Sequence, residues 1–317
     1  MSGKYATETA PANRAGIARA AAILRAGGLV AVPTETVYGL AARADSARAV
    51  ARIYEAKGRP DFNPLIVHVY DAGEAARYAE LTGMAAQVAE TWWPGPLTLV
   101  LPRRADAGLA PAVSAGLPTL ALRVPAHPTM RALLAQCDFP LAAPSANRSG
   151  FISPTTAAHV LASLDGKVDL VLDAGPCEAG VESTILAIRD DDSWEELRPG
   201  PIDLAALRDL PAAGTGEDDR GGGRIEAPGQ LASHYAPGKP VRLNCLEPAP
   251  DEFAIGFGPF PGDVSLSATG DLAEAAARLY SCLHQAARSN KPRIAVAPVP
   301  SEGIGIAIND RLRRAAA

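Results

Sequence analysis

The sequence predicts an α/β fold, with a mixed sheet in roughly the first two hundred residues and a small second α/β unit after it. Three observations support this prediction. Short apolar runs rich in β-branched residues alternate with amphipathic stretches of helical period. The alternation is irregular, and prolines bracket one strand, which argues against an all-parallel sheet. From about Asp203 the chain becomes dense in Gly, Pro and charge, as is typical of a linker.

The first unit opens with a helix followed by a strand. Ile17, Ala20 and Leu24 share one face of a helix predicted over residues 15–26, and two glycines end it before the strand LVAV. Ser46 is predicted to cap a second helix over residues 46–56. Further strands are predicted at residues 65–69, 97–101, 119–124, 141–143, 170–174 and 183–188, and helices near 72–92, 127–136 and 156–164.

The second unit begins after Pro240. A short helix ending at Leu210 and a Gly-rich stretch at residues 211–224 lead up to it. Strands are predicted at 241–244, 252–258 and 293–298, with a long helix over 271–288 and a terminal helix. The predicted division is a catalytic domain at 1–205, a flexible linker or lid at 206–240 and a small open α/β domain at 241–317.

Composition excludes several classes of protein. The net charge of -5 argues against a domain that wraps nucleic acid by general attraction, so any anion site must be local. Four widely spaced cysteines form no C-x-x-C pair, which disfavours a zinc site or a disulfide framework. The N-terminal residues lack the apolar core of a signal peptide, and no apolar run is long enough for a membrane span. We therefore expect a cytoplasmic protein with no membrane partner.

Common catalytic motifs are also missing from the sequence. It contains no G-x-x-x-x-G-K-[ST] phosphate loop, no G-x-S-x-G nucleophile elbow and no H-E-x-x-H metal pair. Instead, polar islands lie at the ends of apolar strands, where α/β folds assemble their sites. These islands are PTETVYG, KGRPDFNP, TLALRVP, APSANRSG, GVESTI and LRPGP. Arg123, inside an apolar strand, either faces solvent or points into a cleft.

The ordered set PTETVYGL, KGRPDFNPL, LRVP, APSANRSG, ESTI and LRPG resembles the YrdC-type threonylcarbamoyl-adenylate synthases. The later APGQLASHYAP resembles the linker of their long, two-domain form, and the tail SEGIGIAINDRLRRAA resembles the end of its extra domain. The resemblance implies a twisted mixed sheet with helices around a concave cavity, and a small Rossmann-like C-terminal domain. It implies a nucleotidyltransferase that converts L-threonine, bicarbonate and ATP into threonylcarbamoyl-AMP and pyrophosphate, for N6-threonylcarbamoyladenosine in tRNA.

The resemblance also implies roles for individual residues. Lys57 and Arg59 would be the catalytic cations, because such a site must hold two anions together and absorb charge at the α-phosphate. The ATP site would comprise Arg59, Asn63, Thr119, Ser145, Asn147, Ser153, Arg198 and Tyr235. The L-threonine pocket would comprise Thr36, His68, Arg123, Ala143 and Ser183. Mg²⁺ would arrive with the ATP phosphates, no protein metal ligand is assigned, and no organic cofactor is expected.

Three further expectations concern partners and the linker. A downstream tRNA threonylcarbamoyl-transferase would consume the product, and weak direct binding of tRNA is also considered. The segment at residues 227–237 would act as a lid over ATP, or alternatively as a passive tether. Two other functions are weighed: an RNA-binding module, disfavoured by the acidic net charge, and a carbamoyl-transfer enzyme of hydrogenase-maturation type, whose C-x-x-C motifs are missing from this sequence.

Overall fold

A computed structural model describes residues 6–189, 191–203, 226–230 and 233–317. The strands in these residues are β1 Glu8–Pro11, β2 Val30–Val32, β3 Gly39–Arg43, β4 Ile66–His68, β5 Leu97–Pro102, β6 Thr119–Arg123, β7 Leu141–Ala142, β8 Leu170–Asp173, β9 Thr184–Ile188, β10 Trp194–Arg198, β11 Val241–Arg242, β12 Glu252–Gly256, β13 Val264–Ser265 and β14 Arg293–Val296. The helices are α1 Arg14–Arg25, α2 Ala47–Lys57, α3 Ala72–Ala75, α4 Gly83–Trp92, α5 Pro128–Leu134, α6 Ala157–Leu164, α7 Leu272–Arg288 and α8 Gly305–Ala316, with a 3-10 helix at Pro111–Val113.

A mixed sheet forms the first unit, as predicted. Its order within the described residues is β1-β8-β2-β3-β7-β4-β6-β5-β9-β10. Pairs such as β4 with β6 and β5 with β9 are parallel, whereas β3 pairs antiparallel with both β2 and β7. Side chains at alternate positions of a strand share a face, so Ile66 and His68 of β4 point the same way. That face carries the cavity described below.

The sequence-based elements differ from the structure in two instructive places. The helix predicted near 72–92 is broken into α3 and α4, because Gly83 adopts a left-handed φ of 53° and Ala79 bridges to Arg103 beside β5. The strand β3, with the Ala-rich sequence GLAAR, was not predicted. Its pairing with β2 and β7 overrides the weak strand preference of alanine.

The second unit is a small parallel sheet with the order β11-β14-β12-β13 in the described part of the chain. Helices α7 and α8 supply apolar faces to its core, including Leu279, Leu283 and Leu312. The same core contains Val37, Ile152 and Val181 of the first unit, so the two units pack together. The first sheet ends at Arg198 and the second begins at Val241.

The structure also bears on the expected cap of α2, the cysteines, the predicted linker and the expected lack of a membrane span. Ser46 caps α2, since its side chain accepts a hydrogen bond from the Ala49 N–H. All four cysteines are free thiols. The short helix ending at Leu210 and the Gly-rich stretch 211–224 fall outside the described residues. Among the helices that are described, none combines the length and apolar character needed to cross a membrane.

Candidate functional site

A cavity of about 40 Å³ lies between the first sheet and the linker. That volume holds only a few water molecules. Polar and charged side chains dominate its wall together with a few small apolar ones. The lining residues are Thr34, Thr36, Val37, Gly39, Arg59, Ile66, His68, Arg123, Ala143, Pro144, Ser145, Glu182, Ser183, Arg198, Pro228, Gly229, His234 and Tyr235.

Arg123 is held rigidly at the end of β6. Its NH2 group donates to Glu35 Oε1 at 2.6 Å, its NH1 group to Thr36 Oγ1 at 3.0 Å, and its Nε to the Gly95 carbonyl at 3.3 Å. A guanidinium has five N–H donors, so one remains on each terminal nitrogen. Arg123 therefore presents a fixed cation that can pair with a carboxylate.

Glu35 is the counter-ion that makes a buried Arg123 tolerable. Burial alone would raise the pKa of Glu35, but the charge and the hydrogen bond of Arg123 outweigh it and lower this pKa to about 2. The carboxylate also accepts from the His127 backbone N–H through Oε2. The pair is thus ionised at neutral pH and stays in one geometry.

His68 lies beside Arg123, because the two residues are register partners in β4 and β6. It is 2% exposed, and its Nδ1 has no hydrogen-bond partner in the protein. Burial, followed by the charge of Arg123, lowers the pKa of His68 to about 3, so the ring is neutral at pH 7. A neutral imidazole with an unsatisfied nitrogen can exchange a hydrogen bond with a polar ligand group.

Two further arginines form a cationic wall. Arg59 donates through Nε to the Asn63 carbonyl at 3.2 Å and through NH2 to the Pro64 carbonyl at 2.9 Å. Arg198 donates twice to the Ser183 carbonyl and once to the Ser183 hydroxyl. Burial lowers the pKa of Arg59 to about 10 and also lowers that of Arg198. Among the residues that the structure describes, no carboxylate forms a salt bridge with either cation, so both are suited to an anionic ligand.

Lys57 is a structural anchor in this conformation. Its Nζ donates to the carbonyls of Ser145 and Asn147, both at 2.5 Å, and to Asn147 Oδ1 at 3.3 Å. The Ser145 hydroxyl also donates to Asn147 Oδ1, and Asn147 Nδ2 donates to the Phe151 carbonyl. The lysine therefore fixes the loop that carries Ser145 and does not itself line the cavity.

The linker closes the top of the cavity. The Pro228 carbonyl accepts from Arg198 NH1 at 3.2 Å, and the neighbouring Gly229 has a φ of 89°. A Cβ on Gly229 would approach Arg198 Cδ to 2.9 Å, so only glycine allows this close fit. Tyr235 is 1% exposed and adopts a left-handed φ of 64°, which is costly for a residue with a side chain. Both the Tyr235 hydroxyl and His234 Nδ1 are buried without a partner.

Most of the sequence-predicted site residues meet at this cavity. Its wall contains Thr36, His68, Arg123, Ala143, Ser183, Arg59, Ser145, Arg198 and Tyr235. The others lie behind it or away from it. Asn63 follows Arg59 with Oδ1 unpartnered, Asn147 is bonded to Lys57, and Ser153 Oγ donates to Glu182. Thr119 starts β6 at the end opposite Arg123 and pairs with Pro102, so the structure does not bring it to the cavity.

Sequence reasoning missed three charged residues at the site. Glu35 and Glu182 belong to the quoted motifs PTETVYG and GVESTI but were given no role. Arg311 of α8, which contacts Glu182, lies in the quoted tail SEGIGIAINDRLRRAA and was also given no role. A signal existed for it, because Ile308, Arg311 and Leu312 fall on one helical face, where an arginine interrupts an apolar stripe.

Two family models and several known proteins match this chain. A family model described as "Telomere recombination" (Sua5_yciO_yrdC) matches residues 22–200, and one described as "Threonylcarbamoyl-AMP synthase, C-terminal domain" matches residues 202–317. A threonylcarbamoyl-AMP synthase of Bacillus subtilis is 40% identical over 98% of this chain and 95% of its own length. One of Pyrococcus abyssi is 36% identical, covering 93% and 92%.

A solved structure is similar along almost the whole chain. The crystal structure of P. abyssi Sua5 complexed with L-threonine has a TM-score of 0.85 and 33% identity, and covers 98% of this chain and 97% of that chain. The predicted family resemblance and the predicted fold class are confirmed. This chain belongs to the Sua5/YrdC/YciO family, in the form that carries the threonylcarbamoyl-AMP synthase C-terminal domain.

Proposed function

We propose that the cavity joins L-threonine, bicarbonate and ATP to give threonylcarbamoyl-AMP, pyrophosphate and water. The observation that carries this proposal is the arrangement of charge. Arg123, fixed by Glu35, offers two N–H donors at one end, and the cations Arg59 and Arg198 lie in the same wall. Such a site can hold an amino-acid carboxylate and a polyphosphate together.

The chemistry needs positioning more than a strong base. Carboxylation of the threonine amine gives a carbamate whose oxygen attacks the α-phosphorus of ATP, and the bond to pyrophosphate breaks. We assign Arg123 to the threonine carboxylate, and His68, Thr36 and Ser183 to its amine and hydroxyl. Arg59 and Arg198 would take the growing charge on the phosphates, where fixed donors stabilise the transition state.

The Mg²⁺ ion is proposed to bind through the ATP phosphates. Glu182 is the carboxylate in the described cavity wall, and it already accepts hydrogen bonds from Ser153, Tyr280 and Arg311. Within the described residues no group of three or more His, Cys, Asp or Glu side chains is placed to hold a metal. The protein residues therefore do not fit a dedicated metal site, and no step of the mechanism is assigned to one.

The amino-acid specificity gives a testable expectation. Val37, Ile66 and Ala143 supply apolar surface to the cavity next to Thr36 and His68. A methyl group that fills such a space contributes about 1–3 kcal/mol, so threonine should exceed serine roughly 10- to 200-fold in kcat/KM. Pyrophosphate release should be measured with ATP, Mg²⁺, bicarbonate and each amino acid. L-allo-threonine, which exchanges methyl and hydroxyl positions, is the matched control and should also be slow.

The same assay tests the proposed function. Pyrophosphate release that requires both threonine and bicarbonate would support it. Release at equal rates without threonine, or equal kcat/KM for threonine and serine, would contradict the proposed pocket.

The linker is proposed to act as a lid. In the described conformation the cavity is far too small for ATP, so the segment carrying Pro228, Gly229 and Tyr235 must move for the nucleotide to enter. Ala227 packs against Ile66 and Ile185 on the apolar face of the sheet, and this contact stabilises the closed position of the segment. Closing over the product would exclude water from a labile adenylate.

Substitution at Tyr235 should uncouple the reaction. In Tyr235→Ala we expect the yield of threonylcarbamoyl-AMP per ATP consumed to fall clearly below that of the unsubstituted chain, because water reaches the adenylate. Tyr235→Phe tests the unpartnered hydroxyl separately from the ring. The control is Tyr70→Ala, which removes a tyrosine that is 40% exposed and outside the cavity wall. An unchanged yield and unchanged ATP affinity in Tyr235→Ala would show that the segment is a tether.

The remaining expectations extend the same proposal. We propose that the product passes to a tRNA threonylcarbamoyl-transferase for N6-threonylcarbamoyladenosine synthesis, and that the chain works in the cytoplasm. Direct tRNA binding, if it contributes, would be weak, since the net charge is -5. The RNA-binding module is not favoured, because the relatives that match more than nine-tenths of the chain are threonylcarbamoyl-AMP synthases.

A further inference from the structure

A buried ion pair joins the C-terminal domain to the wall of the cavity. Arg311 of α8 has a fully buried side chain, and its Nε donates to Glu182 Oε2 at 2.8 Å. Its NH2 group donates to the Pro199 carbonyl at 2.9 Å, and its NH1 group to Asp310 Oδ2 at 2.7 Å. A single side chain of the second unit thus contacts two loops of the first.

Glu182 depends on the C-terminal domain for most of its partners. Tyr280 of α7 donates to Oε2 at 2.7 Å, beside Arg311, whereas in the described part of the first unit only Ser153 donates, to Oε1 at 2.5 Å. Burial alone would raise the pKa of Glu182, but Arg311 and then Arg198 outweigh it and lower this pKa to about 2. The cavity wall therefore contains an ionised carboxylate whose charge is balanced from the other domain.

The two residues of the first unit that Arg311 contacts are sequence neighbours of Arg198 and of its acceptor Ser183. Glu182 immediately precedes Ser183, whose carbonyl and hydroxyl receive the Arg198 guanidinium. Pro199, the other acceptor, immediately follows Arg198. Arg311 therefore contacts Glu182, which directly precedes the acceptor Ser183, and Pro199, which directly follows the donor Arg198. Without it, an uncompensated carboxylate would remain next to Arg198 and would compete with an anionic ligand for that cation.

We propose that Arg311 is a positioning residue for the nucleotide, through which the C-terminal domain keeps Glu182 neutralised and Arg198 available to the triphosphate. The proposal rests on the assignment of this cavity to ATP. It gives the C-terminal domain a role in substrate affinity in addition to its packing. It predicts that the effect of Arg311 on ATP passes through the charge of Glu182.

A double-mutant cycle at Arg311 and Glu182 tests this inference. MgATP and L-threonine are titrated separately, by calorimetry, into the full chain and into the single variants Arg311→Met and Glu182→Gln. We expect the Kd for MgATP to rise by roughly tenfold or more, which corresponds to about 1.4 kcal/mol, and the Kd for threonine to change much less. Adding Glu182→Gln to Arg311→Met removes the orphaned charge and should restore most of the MgATP affinity. Asp310 keeps Arg314 as a partner in both variants, so Glu182 is the carboxylate that loses its balancing cation.

Two more variants separate charge from packing. Arg242→Met is the control, because Arg242, like Arg311, belongs to the C-terminal domain and pairs with a glutamate. Its partner Glu252 lies outside the cavity wall, so this variant should leave the MgATP affinity unchanged. Tyr280→Phe removes one hydrogen bond to Glu182 with little change in volume and should weaken MgATP binding in the same direction, by less. It also serves as the test if Arg311→Met does not fold.

The outcomes are distinct. Normal MgATP binding by a folded Arg311→Met chain would overturn this inference but would leave the proposed nucleotide site standing. A loss of affinity that Glu182→Gln does not restore would assign Arg311 to packing and would also overturn it. An unsubstituted chain that binds no MgATP would overturn the nucleotide site, and the inference with it.

Discussion

Replacing Arg59 with alanine is expected to lower kcat/KM by roughly 10²- to 10³-fold while leaving the melting temperature nearly unchanged. The reason is electrostatic. Burial lowers the pKa of Arg59 to about 10, with nearby Arg198 acting in the same direction, so the folded chain holds this charge at a cost. Only a bound anion offsets that cost. Removing the cation should therefore weaken the transition state much more than the free protein.

The measurement pairs steady-state pyrophosphate release with thermal unfolding. Arg52→Ala is a suitable control, because Arg52 lies on helix α2, which ends just before Arg59, but its side chain is 37% exposed and pairs with Asp169. It should change neither quantity appreciably, since exposed ion pairs contribute about 0–1 kcal/mol. An Arg59→Ala chain that loses folded yield in proportion to its activity would contradict the assignment.

Replacing Glu35 with glutamine should give the largest loss of stability. The substitution leaves Arg123 buried without its counter-ion, and breaking a buried pair in this way costs about 3–5 kcal/mol. Threonine affinity should fall as well, because the guanidinium loses its strongest constraint. Urea unfolding at pH 7 gives the free energy, and the exposed Asp106, which pairs with Arg104, supplies the control Asp106→Asn.

The same variant has a defined pH dependence. The pKa of Glu35 is lowered to about 2 from an ordinary value of 4.5, so its contribution to stability is complete above pH 4.5 and is lost as the pH falls from 4.5 towards 2. The difference in unfolding free energy between the unsubstituted chain and Glu35→Gln should therefore shrink across that window. A difference that stays constant from pH 7 to pH 3 would show that the loss comes from packing rather than charge.

The sequence predicted which residues line the cavity better than it predicted the details of the sheet. Polar islands at strand ends could be read directly, because loops that follow strands are where such folds place their functional groups. Strand β3 was missed because its Ala-rich sequence gains strand structure only from its neighbours. The role of Lys57 could not be read either, since a lysine next to a cationic motif looks the same whether it binds a ligand or a backbone carbonyl.

Contacts between distant parts of the chain were the hardest to foresee. Arg311 meets Glu182 across 129 positions, and no local pattern connects them. The interrupted apolar stripe of α8 could have indicated a buried arginine, but not its partner. Likewise, the HY pair of the linker suggested a lid, whereas the close approach of Gly229 to Arg198 required the folded structure.

The central claim is that one cavity joins threonine, bicarbonate and ATP into a single adenylate. Mass spectrometry of the product formed from ¹³C-bicarbonate and ¹⁵N-threonine tests it most directly. We expect one new adenylate whose mass increases by one unit with each label, formed in equal amount to the pyrophosphate released. An adenylate that carries neither label, or pyrophosphate accompanied only by free AMP under conditions where added threonylcarbamoyl-AMP is stable, would contradict it.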